Sequence, residues 1–181
     1  MLALLRCLLL LLLSAACRGA STSDSPPAAA TNEPPLSLHV GDTAPDFSAL
    51  SQTGYSVSLS QFLNQPVAVY FCPDPGCGAL TTELADEWLR LKQRLSMILI
   101  VVPGDYNQNR AFSSEHELPL LLLTDPDRQI ASRYGVAGGT RAGTGPGERT
   151  GFLIATDGKI SRIFDNPSPT DHVRELMPPE P

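Results

Sequence analysis

The sequence predicts an α/β fold with a central mixed sheet flanked by helices, on three observations. Val67–Phe71 and Met97–Val102 are continuous apolar runs, as expected of strands buried on both faces. Between them lies a helical pattern that brings Leu80, Leu84, Trp88 and Leu91 near one face, so the first half reads strand-helix-strand. Late in the chain, Phe152–Ile154 and Ile160–Phe164 flank Asp157-Gly158, the strongest short hairpin signal present.

The remaining elements follow in order. Gly41-Asp42-Thr43-Ala44-Pro45-Asp46-Phe47 leads around a turn at Gly54 into Val57-Ser58-Leu59, a short apolar/polar alternation. Pro66 and Pro73 bound the first buried run. Asp74-Pro75-Gly76-Cys77 then opens the helix, with Asp74 as cap, Pro75 at its favoured first position and Cys77 in the first turn. Tyr106–Glu115 reads as a helix capped by Asp105. Leu120–Leu123 is a short strand ended by Asp125-Pro126-Asp127, and Gln129–Tyr134 a short helix stopped by Gly135. Gly138–Gly147 is Gly/Thr-rich loop, and Thr170–Met177 is a closing helix capped by Thr170. Early strand-helix-strand followed by a late hairpin and helix describes a thioredoxin-like arrangement.

Composition narrows the function classes. The chain has 181 residues, enough for one ordinary domain once its N-terminus is set aside. A net charge of −6 with no basic stripe argues against a nucleic-acid partner. Residues 1–16 carry one charge, Arg6, and the leucine run Leu8–Leu13, too short to span a bilayer and of the length of a signal-peptide core. The run ends in Ser14-Ala15-Ala16-Cys17, which resembles a bacterial lipobox; Ser14 and Ala16 also suit ordinary secretory cleavage after Ala16. The lipobox implies lipidation of Cys17, and Arg18 rather than aspartate after it suits the outer membrane of a Gram-negative cell. Residues 17–37, rich in Ala, Ser, Thr and Pro, are expected to be a flexible spacer, and residues 38–177 the folded domain. The expected location is therefore outside the cytoplasm, on a membrane-anchored lipoprotein facing the periplasm or cell exterior.

Of four cysteines, Cys7 leaves with the signal and Cys17 takes lipid, so Cys72 and Cys77 remain to carry thiol chemistry. A cysteine at the start of a helix after a buried strand is activated by unpaired amides and by the positive helix end, which favour the nucleophilic thiolate. A small buried helix cysteine is the bland alternative for Cys77. His39, His116 and His172 show no metal-ligand spacing, and no cofactor is implied. Trp88 reads most simply as core.

The stretch Gly41–Phe47, then Val69-Tyr70-Phe71, Pro75-Gly76-Cys77, Thr124-Asp125-Pro126-Asp127, Tyr134-Gly135-Val136 and Arg149-x-x-Phe152-Leu153-Ile154-x-x-Asp157-Gly158-Lys159 resembles the peroxiredoxins, nearest the bacterioferritin-comigratory or Q-type branch. The likeness runs through residues 38–177 in the right order. It implies a thiol-dependent peroxidase of the thioredoxin superfamily, with Cys77 as peroxidatic nucleophile and Arg149 stabilising the transition state; Arg141 and Arg133 are rivals for that arginine role. The implied partners are a peroxide substrate and a thiol reductant such as a thioredoxin-like protein, and the chain is expected to act as a monomer or weak homodimer. Three departures stand out. Pro73-Asp74-Pro75-Gly76-Cys77 is about three residues shorter than the family signature, and Asp74 stands where the family has threonine or serine. Thr82 occupies the place where the branch often carries a resolving cysteine. Cys72 keeps two readings, a small residue packed at a strand end or the thiol that resolves a sulfenic acid on Cys77. Two alternatives stay open beside the peroxidase: a thiol-disulfide oxidoreductase using Cys72 and Cys77, and a non-catalytic thioredoxin-fold lipoprotein.

Overall fold

The computed structural model describes residues 38–136, 149–165 and 176. Within them run strands β1 (Ser48–Leu50), β2 (Ser56–Ser58), β3 (Val67–Phe71), β4 (Met97–Val102), β5 (Leu121–Thr124), β6 (Thr150–Ile154) and β7 (Ile160–Asp165). The helices are α1 (Gly78–Asp86), α2 (Trp88–Leu91), α3 (Tyr106–Glu115) and α4 (Gln129–Arg133). The expected signal peptide, spacer and lipidated Cys17 lie outside the described residues. So do the loop 138–147 with Arg141, His172, and the closing helix 170–177 apart from Leu176, which is helical and buried.

The main sheet has five strands in the order β5-β4-β3-β6-β7. β3, β4 and β5 are parallel, while β6 and β7 run antiparallel to their neighbours. This is the mixed sheet expected from the sequence. β3 lies at its centre, and all five of its residues are buried. Strand alternation sorts these five and the next residue: Val67, Val69 and Phe71 enter one core, Ala68, Tyr70 and then Cys72 the other. The first core takes Phe47, Val57, Leu59, Ile130 and Tyr134 from the N-terminal segment and α4. The second takes Leu80, Leu84 and Leu91 from α1 and α2, with Phe112 of α3 packed on it.

Most element boundaries fall within a residue or two of expectation, with two differences. The alternation around Val57 is a separate two-stranded ribbon, β1 with β2, and Leu59 already belongs to a 3-10 turn. The helix after Cys77 is broken at Glu87 (φ −89°, ψ 1°), so α1 and α2 meet at a tightened turn. Leu80, Leu84 and Leu91 are fully buried as the helical pattern requires, whereas Trp88 packs half-buried at the core's margin.

Long-range polar contacts explain why the sequence's distant motifs occur together. The Gly41–Phe47 segment is stitched to the start of β7 by Gly41 N–H to the Ile160 carbonyl (2.8 Å) and Ile160 N–H to the Asp42 carbonyl (2.9 Å). The Tyr134 hydroxyl donates to the Pro45 carbonyl (2.8 Å), and Arg133 donates to the Asp46 carbonyl (2.9 Å). Burial, and next the Asp46 carboxylate, hold the Tyr134 phenol well above its ordinary value against a smaller opposing effect of Arg133, so it remains a donor. Asp105 caps α3 as expected, accepting from Gln108 N–H (2.9 Å) while the Gln108 side chain accepts from Asp105 N–H (3.0 Å).

Packing is close where β6 pairs with β3. Gly151 faces Tyr70, and a Cβ at Gly151 would fall 2.5 Å from Tyr70 Cε1 and 2.8 Å from Cδ1. That ring is fully buried and cannot swing away. Gly151→Ala is therefore expected to destabilise the domain by about 1–3 kcal/mol through overpacking, read as a lower urea midpoint at unchanged slope.

Candidate functional site

The parallel strands β3, β4 and β5 end at one edge of the sheet, where α/β folds gather their ligands. Cys72 follows β3 directly, its N–H donating to the Val101 carbonyl of β4 (3.1 Å). Cys77 closes a 3-10 turn, Pro75–Cys77, and is itself the N-cap residue of α1. The two cysteines are joined by a disulfide, with Cα atoms 5.5 Å apart, within the usual bridging range. Both are buried, Cys72 at 3% and Cys77 at 1% exposure.

This arrangement corrects the expected local geometry of Cys77. Asp74 was expected to cap one helix with Cys77 in its first turn. Asp74 instead begins the 3-10 turn with an extended backbone, and its exposed carboxylate makes no capping hydrogen bond. Cys77 adopts a left-handed conformation (φ 60°, ψ 17°), and Gly78 after it has φ 48°. The cause is the tether. The sulfur must reach back to the end of β3 across only four intervening residues, two of them prolines, and the chain reverses at Cys77 before the α-helix can start. The helix-start position survives this change. Cys77 still stands at the N-terminus of a nine-residue α-helix, whose unpaired amides and dipole favour an anion.

Three arginines are to be placed relative to the loop. Arg149 is half-buried and immediately precedes β6. The pair Phe71 and Thr150 is the last of the β3–β6 register, so Cys72 and Arg149 are the residues just beyond the two strands. Alternation sends Gly151 and Leu153 to the face of the sheet that carries Tyr70 and Cys72; carried one residue further, it puts Arg149 on that face. Arg133, a rival for the same role, is committed to the Asp46 carbonyl instead. Arg128 was not expected from the sequence. Its Nη2 donates to the Pro73 carbonyl (2.7 Å), joining the turn after β5 to the loop between the cysteines.

The floor of the site was also illegible beforehand. A Cβ at Gly104 would lie 2.8 Å from Asn109 Oδ1 and 3.4 Å from Pro75 Cβ, so only glycine lets α3 approach the turn that carries Cys77. The Asn109 side chain is fully buried there with no hydrogen-bond partner for its amide among the described residues. The two histidines among the described residues lie elsewhere: His39 beside Asp42 on the surface, and His116 against the Phe112 ring.

Comparison with known proteins places the chain in a family. Residues 40–163 match the AhpC/TSA family. The chain is 35% identical over 144 residues to the Escherichia coli peroxiredoxin Bcp, covering 75% of this chain and 90% of that protein. It is 30% identical over 141 residues to the chloroplastic peroxiredoxin Q of Oryza sativa subsp. japonica, covering 76% of this chain but only 64% of that longer protein. Among solved structures, that of peroxidoxin BcpB from Mycobacterium tuberculosis superposes with a TM-score of 0.62 at 26% identity, over 77% of this chain and 94% of that one. Sequence and thioredoxin-like fold thus agree, and the chain belongs to the AhpC/TSA family, among the Bcp and Q-type peroxiredoxins.

Proposed function

We propose that the protein is a thiol-dependent peroxidase that completes its oxidative half-cycle within one chain, using Cys77 as nucleophile and Cys72 as resolving thiol. The buried Cys72–Cys77 disulfide at the C-terminal edge of the parallel strands carries this reading. The Cys77 thiolate attacks one oxygen of a hydroperoxide; the O–O bond breaks, the departing oxygen takes a proton as water or alcohol, and Cys77 becomes a sulfenic acid. The Cys72 thiol then displaces hydroxide from that sulfur, with loss of water, and the disulfide forms. An external dithiol, such as a thioredoxin-like protein, reduces it and is itself oxidised. Arg149 faces the same side of the sheet as Cys72 and is the cation proposed to hold the peroxide and offset charge on the departing oxygen. Because both thiols sit on one loop, a monomer or weak homodimer suffices.

The disulfide also supports a second reading, a thiol-disulfide exchanger on Cys72 and Cys77, and the same purified protein separates the two. Substoichiometric peroxide should remove both free thiols together, seen by mass spectrometry after alkylation, and steady turnover should follow on adding a dithiol reductant. Cys77→Ser should abolish turnover. Arg149→Met should slow peroxide reduction about a hundredfold or more, the usual cost of removing a preorganised donor from a transition state, with the fold intact by circular dichroism. Reduction of protein disulfides without reaction with peroxide would favour the exchanger and sink the peroxidase.

For the N-terminus we propose export and lipidation at Cys17, on the strength of the leucine run and the Ser14-Ala15-Ala16-Cys17 boundary. Export would place the cysteine pair in an oxidising compartment, where a disulfide persists between turnovers unless a dedicated reductant reaches it. Wild-type protein is expected in the detergent phase of a membrane preparation, and Cys17→Ser in the soluble phase or unprocessed. Identical fractionation of the two would exclude the lipid anchor.

A further inference from the structure

We propose that Arg128 is a positioning residue of the redox site: its guanidinium grips the Pro73 carbonyl, fixes the root of the loop that presents Cys77, and places a permanent positive charge on that loop. The inference rests on Cys77 being the reacting thiol, and three observations carry it.

The contact itself is short and charge-assisted, 2.7 Å from Nη2 to the carbonyl oxygen, and it links residues 55 apart in sequence. Pro73 is the first residue after Cys72, so the bonded carbonyl is where the loop leaves the sheet. The remainder of the loop is stiffened by Pro75, so fixing its root constrains where the Cys77 sulfur travels when the disulfide opens.

The second observation is the backbone of Arg128. It is left-handed, φ 51° and ψ 29°, a region that an arginine occupies at a cost and that glycine or asparagine would fill more easily. Its surroundings hold it there. Arg128 N–H donates to the Asp125 carbonyl (3.0 Å), and its own carbonyl accepts from Ser132 N–H (2.9 Å) and Ser132 Oγ (2.7 Å). Asp125 in turn is buried and accepts from Ile130 N–H (3.1 Å) and Ala131 N–H (2.9 Å), so the whole turn is rigid. An arginine kept at a strained position, with every backbone group pinned, is accounted for by what its side chain reaches.

The third is charge. Asp74 follows Pro73 directly and brings a carboxylate to the loop at the position where a hydroxyl residue would be neutral. Asp125 spends both its oxygens on α4, and Asp127 is exposed. Arg128 is thus a cation bonded to the segment that carries Asp74, and its proposed electrostatic role is to offset that carboxylate for a thiolate at Cys77.

The test compares Arg128→Asn, which tolerates the left-handed backbone but cannot reach Pro73, with Arg128→Lys, which keeps a charged donor. Reduced protein is alkylated at neutral pH with an uncharged reagent, the label is sited at Cys77 by fragmentation mass spectrometry, and peroxide oxidation is followed in parallel. Arg128→Asn should alkylate at Cys77 about fivefold more slowly or worse, with kcat/KM for peroxide falling alongside, while Arg128→Lys recovers at least half of the lost rate. A purely structural arginine would lower the urea midpoint of both variants and leave Cys77 alkylation at the wild-type rate. Wild-type reactivity in Arg128→Asn, or no recovery in Arg128→Lys, overturns the proposal. A wild type that alkylates normally yet ignores peroxide would count against the peroxidase, while the alkylation comparison would still decide the role of Arg128.

Discussion

Everything in this domain hangs on the complete burial of β3. A strand covered on both faces and paired on both edges has no freedom of register, because a slip of one residue would exchange the contents of two cores. Val69 and Phe71 are committed to the aromatic side with Tyr134 and Phe152, and Ala68 and Tyr70 to the side covered by α1 and α2. That rigidity is delivered to the next residue. Cys72 emerges from the sheet at a fixed point and on a fixed face, and the loop to Cys77 is measured from there.

The shortness of that loop shapes the site. With four residues between the cysteines, the sulfurs meet at the end of β3, and the reversal of the chain falls on the left-handed Cys77 and on Gly78. The helix that follows starts directly after Cys77 in spite of the reversal, so the residue keeps its place at a helix N-terminus by a different backbone path. Gly104 admits α3 beneath the turn, and the turn after β5 closes on the loop from the other side through Arg128. Three parallel strands thus each contribute one connection to a single edge. This is the physical content of a ligand site at the carboxyl end of a sheet.

Much of the fold was legible because its signals are local and strong. Two apolar runs, an Asp-Gly hairpin and an aspartate ahead of a polar helix each state an element without reference to the rest of the chain. The capping box at Asp105 and Gln108 is such a case, since both partners lie within one turn. The break at Glu87 was not legible, because apolar residues at helical spacing look the same whether the helix runs straight through or restarts after a tightened turn. The ribbon of β1 and β2 was half visible: its alternation could be read, but whether it joined the main sheet depended on edges formed far away in sequence.

The site divides in the same way. The sequence by itself determined the chemistry available, two cysteines after a buried strand, a helix start to activate one of them, and an arginine ahead of the late hairpin, because these depend on residue type and near neighbours. Only the tertiary structure decided that Cys72 and Cys77 are bonded, that Cys77 is left-handed, and that Arg128 lies over Pro73. Each of these turns on distances between segments separated by a loop or a whole strand-helix unit, which side-chain periodicity does not encode. An arginine in an Asp-Pro-Asp-Arg turn reads as an exposed loop residue. It becomes part of the site because parallel strands bring the ends of β3 and β5 to one edge, and parallel pairing is a property of the assembled sheet.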